Sequence, residues 1–210
     1  MPYTWTSLAI SDTILAFSSF FGVFLMSQSY RLTSNRMPVT GMLLSFLLVG
    51  IGAALGTLRY GFSPAWEQPY QMMMAAAKTL APPLMAAAMA VFCWKLQWSR
   101  PAWWRLLIGL MAGYELSRQT GYGELFLDIT AFSSLFITTA AALSMTKQER
   151  IFSLFMIVAV IAYALAALVI GTEGSLAGYL RLDLYRYLLA LGNLFAASGI
   201  FIMLKQIFKT

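Results

Sequence analysis

Apolar residues run along this chain in seven long stretches, each closed by a short group of charged residues or by Gly and Pro. The stretches fall at about 9–29, 39–60, 69–95, 102–117, 123–145, 149–170 and 179–205. Each is about the length that crosses a hydrocarbon layer as an α-helix, near 20 residues at 1.5 Å apiece. The fourth is the shortest, because Glu115 and Arg118 close it early, and the sixth carries no charge from Ile151 to Ile170. The pattern predicts an all-α, polytopic membrane protein, one seven-transmembrane-helix bundle occupying residues 1–210 as a single domain.

Composition narrows the picture. Of the 210 residues, 60% are hydrophobic and 10% charged, whereas soluble domains carry about a quarter charged residues. The bilayer is therefore the expected solvent, with no room left for a soluble domain. The first apolar stretch lacks a basic leader and a small-residue cleavage pattern, and is expected to stay as a helix. The net charge of +6 reports orientation rather than nucleic-acid binding. Arg31, Arg36, Lys95, Arg100, Arg105, Lys147, Arg150, Lys205 and Lys209 fall in the odd loops and the C-terminus, nine of the fourteen cations, against Arg59, Arg118, Arg181 and Arg186 on the other side. The cation-rich side is expected to be cytoplasmic, which puts the N-terminus out and the C-terminus in. Trp94, Trp98, Trp103 and Trp104 mark one interface, and Trp5, Trp66, Tyr70, Tyr122 and Tyr179 the other. The expected location is the cell membrane, as a multi-pass protein, with the bacterial inner membrane first in view.

Candidate chemistry lies on the predicted outer side. Asp12, Glu67, Glu115, Glu124, Asp128, Glu173 and Asp183 map there, and only Glu149 maps inside. Lys78, Asp128 and Arg186 fall within predicted spans, where a charge costs from about 3 to more than 10 kcal/mol and marks a site by default. Asp128 and Asp183 are the candidate partners of Lys78. Pro82 follows Lys78 by four residues and removes the donor that its carbonyl would take, so a kink or cavity is expected there. With no His and only Cys93, no metal site and no cofactor are expected, and Met72-Met73-Met74 is packing material. Gly52-x-x-x-Gly56 fits a close helix contact rather than a nucleotide loop.

Two stretches carry a family likeness. Val49-Gly-Ile-Gly-Ala53, Thr57-Leu-Arg-Tyr60, Glu67-Gln-Pro69 with Met72, and Arg186-Tyr-Leu-Leu-Ala-Leu-Gly192 resemble the motifs of the alkaline ceramidases. These belong, with the progestin and adiponectin receptor type, to a seven-span superfamily with an outer N-terminus. The resemblance implies that fold. It also implies that the zinc site is absent, lost or never present, since Arg186 stands where a His ligand would be, Trp66 where an Asp would be and Ala53 where a Ser would be. Gly56-Thr-Leu-Arg59 followed by Ser63-Pro64 is similar to a segment of bacterial trimeric intracellular cation channels, though Tyr60 replaces their Asp and no second copy follows.

The expected function is non-catalytic binding or sensing of a lipid or small amphiphile in an outward-facing polar cavity near Lys78, Asp128, Asp183 and Arg186, with Arg59, Glu67, Glu115 and Arg118 at its rim. The alternatives are an ion channel or carrier with Lys78 in the pathway, and a metal-free membrane hydrolase, against which no Ser stands beside a credible general base. Membrane lipids, with a lipid or small-ion ligand, are the expected partners and nucleic acid is not. Self-association into a homo-oligomer stays open.

Overall fold

The computed structural model describes residues 2–31, 33, 35–176 and 178–207. Lys209, counted above with the C-terminal cations, lies outside them. Seven α-helices are present among the described residues: α1 Pro2–Tyr30, α2 Arg36–Gly61, α3 Glu67–Cys93, α4 Arg100–Gln119, α5 Gly123–Ser144, α6 Arg150–Ala164 and α7 Arg181–Ile207. A 3₁₀ turn, Pro64–Trp66, leads into α3, and a π-helical stretch, Leu165–Ile170, extends α6. Two short antiparallel strands, Ser175–Leu176 and Tyr179–Leu180, fold the chain back into α7.

Six of these helical segments, all but α4, are long and apolar enough to cross a membrane. This fits a multi-pass membrane protein, because such helices satisfy every backbone group internally. The same six pack into a ring in the order α1, α2, α3, α5, α6, α7, with α7 returning to α1. α4 stands outside the ring against α5 and α3. It carries Arg100, Arg105, Glu115 and Arg118 within its length, and Trp103 is its one buried residue.

Burial within the ring is lopsided. The main apolar core is built from Met26 of α1, Val39 to Phe46 of α2, Leu84 to Cys93 of α3, Phe152 and Met156 of α6, and Ala196 to Leu204 of α7. These segments all lie toward the end where the cation-rich loops are. Small residues let the helices close there: at Gly199 a Cβ would come within 2.8 Å of Phe155. α3 runs unbroken through Pro82 and Pro83, and the Ser45 hydroxyl of α2 donates to the Ala81 carbonyl at 2.7 Å. The buried charged side chains, Asp12, Asp183 and Arg186, lie in the opposite half of the ring.

Candidate functional site

Two neighbouring features occupy that half. The first is a buried network joining α1, α2, α3 and α7. Arg186, 3% exposed, extends from the second turn of α7. Its Nε lies 2.9 Å from Asp12 Oδ1, and both side chains are shut away from solvent. Its Nη1 donates to the Leu8 carbonyl at 3.2 Å and to Ser11 Oγ at 3.3 Å, and its Nη2 to the Tyr70 hydroxyl at 3.3 Å. Ser11 Oγ in turn donates to Asp183 Oδ1 at 2.6 Å. Arg59 pairs with Glu67, donates to the Tyr60 hydroxyl at 2.9 Å, and lies over the Tyr60 and Tyr70 rings at 4.5 and 4.8 Å. The helix ends are thus tied by two guanidinium groups, three carboxylates and two tyrosines.

Glycine makes the network fit. Asp12 Oδ2 is buried without a hydrogen-bond partner and lies in the notch that Gly56 leaves. A Cβ at position 56 would collide with that oxygen and come within 3.0 Å of Tyr70 Cε2. Any larger residue at position 56 would push Asp12 away from Arg186.

The second feature is a cleft of about 270 Å³ between α3, α4 and α5, lined by Tyr70, Gln71, Met74, Ala75, Lys78, Tyr114, Glu124 and Leu127. Residues 71, 74, 75 and 78 form one face of α3 by helical spacing. The start of α5 brings in Glu124 and Leu127, and the last turns of α4 bring in Tyr114. Lys78 is exposed to this space. Among the described residues neither Lys78 nor Glu124 has an ion pair or hydrogen bond. Tyr70 belongs to both features: it lines the cleft, and its hydroxyl accepts from Arg186.

The structure therefore divides the residues expected to surround one cavity. Asp183, Arg186, Arg59 and Glu67 belong to the network, and Lys78 to the cleft. Glu115 and Arg118 pair with each other at 2.7 Å on the exposed end of α4, and Asp128 is exposed outside the cleft. The expectation that Asp128 or Asp183 partners Lys78 is corrected: Asp183 is taken by Ser11, and the partner of Arg186 is Asp12. Asp12 had a signal in the sequence, since it is an acid inside a predicted span by the same criterion that picked out Lys78. One serine does stand beside a carboxylate, Ser11 against Asp183. Ser11 is fully buried, so its hydroxyl serves the network rather than a substrate. Among the described residues no three His, Cys, Asp or Glu converge as ligands for a metal ion.

The family of unknown function DUF6962 matches residues 7–203. No curated protein and no solved structure matches this chain. The chain belongs to the DUF6962 family, and the match spans both the network and the cleft.

Proposed function

From that membership as premise, we propose that this protein spans the membrane seven times, N-terminus out, and binds a lipid or small amphiphile in the α3–α4–α5 cleft without catalysing a reaction on it. α4 is the seventh span in this reading, its charges kept to its two ends. One observation carries the proposal: Lys78 lines the cleft with no partner among the described residues. From the start of α3 at Glu67 it lies eleven residues along, roughly 16 Å at the helical rise. An ammonium at that depth needs an anion or water, and Glu124, the acid that shares the cleft, makes no ion pair with it. Gln71, Tyr70 and Tyr114 offer polar contacts, and Met74, Ala75 and Leu127 an apolar wall. The ceramidase-like resemblance supports the same architecture, with Arg186 paired to Asp12 at the position of a metal ligand.

The test is native mass spectrometry of protein released from membranes in mild detergent. Wild type should retain about one lipid per chain, and Lys78→Gln should lose it while melting at a similar temperature. A Lys78→Gln protein that keeps its lipid removes the cleft from consideration. Lysine-dependent ion flux into liposomes, with no lipid retained by wild type, would replace binding by conduction.

A further inference from the structure

We infer that the occupant of the cleft is a zwitterionic phospholipid, held with its phosphate toward Lys78 and its amine toward Glu124; this rests on the cleft being a lipid site. The two charged side chains of the cleft are of opposite sign, and neither has a protein partner among the described residues. A lipid bearing only an anion would satisfy Lys78 and leave Glu124 facing a like charge. A cationic amphiphile would do the reverse. A headgroup with both charges answers both residues.

The order of the charges along the helices gives the direction. α3 and α5 start at the same end of the bundle, since Tyr70 and Gln71 share the cleft with Glu124. Glu124 is the second residue of α5, whereas Lys78 lies three turns into α3. The cation of the protein is therefore the deeper of the two. In a phospholipid whose leaflet surface lies at these helix starts, the order from the bilayer centre is chains, phosphate, amine. The phosphate meets Lys78, whose four-carbon stem lets the ammonium rise toward the headgroup. The amine meets Glu124, and the Tyr70 and Tyr114 rings add attraction for a cation, primary or quaternary. A soluble phosphoamine would fit the charges but not the apolar wall of Met74, Ala75 and Leu127.

Offering delipidated protein equal amounts of palmitoyl-oleoyl phosphatidylethanolamine, phosphatidylcholine and phosphatidylglycerol, and counting retained lipid by native mass spectrometry, tests this. Wild type should favour the two zwitterions over phosphatidylglycerol by about fivefold, as one partly exposed charge pair would give. Glu124→Gln should abolish or invert that ranking, and Glu124→Asp should keep it. Lys78→Gln should lower retention of all three. Asp128→Asn, one turn along α5 but outside the cleft, should match wild type, and melting curves show that each variant is folded. Equal retention of phosphatidylglycerol by wild type, or an unchanged ranking in Glu124→Gln, overturns the zwitterion and leaves lipid binding standing. Retention that ignores Lys78→Gln overturns lipid binding in the cleft itself. Displacement of the lipid by glycerophosphoethanolamine at comparable concentration overturns the lipid in favour of a soluble zwitterion.

Discussion

At the scale of single residues, the pair of Arg186 and Asp12 carries the sharpest energetic consequence. Both are almost wholly buried, so removing one partner strands the other in a medium that solvates it poorly. Asp12→Asn should cost roughly 3–5 kcal/mol, and Arg186→Met at least as much, because Ser11 and Tyr70 then also lose their guanidinium contacts. The double variant should recover part of the loss, and thermal melts of the four proteins measure that coupling. Strict additivity would mean that the pair is spectator to folding. Lys78→Met with Asp183→Asn should, in contrast, be additive, since Asp183 is committed to Ser11. The sequence made Arg186 legible, because an arginine two turns inside an apolar stretch must have a partner. It did not give the partner, which sits near the other end of the chain and meets Arg186 only because α7 closes the ring against α1. Helical spacing speaks of neighbours within a helix, not across that closure.

Among the elements, α4 is the one least held by the rest. Trp103 anchors it, 3% exposed, with its ring 3.0 Å from where a Cβ on Gly41 would lie and edge-on to Trp98 at 5.3 Å. At its far end Tyr114 meets Phe126 of α5, ring centroids 6.3 Å apart. Trp103→Ala should cost about 3–5 kcal/mol of local stability. Hydrogen exchange should then quicken across α4 and leave α1 and α2 protected; equal quickening everywhere would show that α4 is part of the common core. The weakness of this element was readable from its charges, and the helix limits came within a few residues for most spans, because Pro, Gly and charge clusters end helices for local reasons. The first helix is longer than its apolar stretch, Pro2–Tyr30 against 9–29. The π-helical stretch Leu165–Ile170 left no trace in the pattern, since a wider turn needs no breaker residue.

For the molecule as a whole, the proposed orientation predicts where its ends lie. Reporter fusions at the C-terminus should be active for a cytoplasmic reporter and silent for a periplasmic phosphatase, because nine cations flank that side. The opposite result would turn the cleft toward the cytoplasm and with it the leaflet that supplies the occupant. Tyr70 has a further consequence at this scale. It borders the cleft while its hydroxyl holds Arg186, so an occupant that moved it would alter that contact, and thermodynamics would make the influence mutual: whatever factor a bound lipid imposed on the clamp of α1 and α7, the clamp would impose on the lipid. Replacing Tyr70 by Phe would keep the wall of the cleft and remove the hydroxyl that Arg186 meets, so an occupant would fill the same space and no longer reach the clamp.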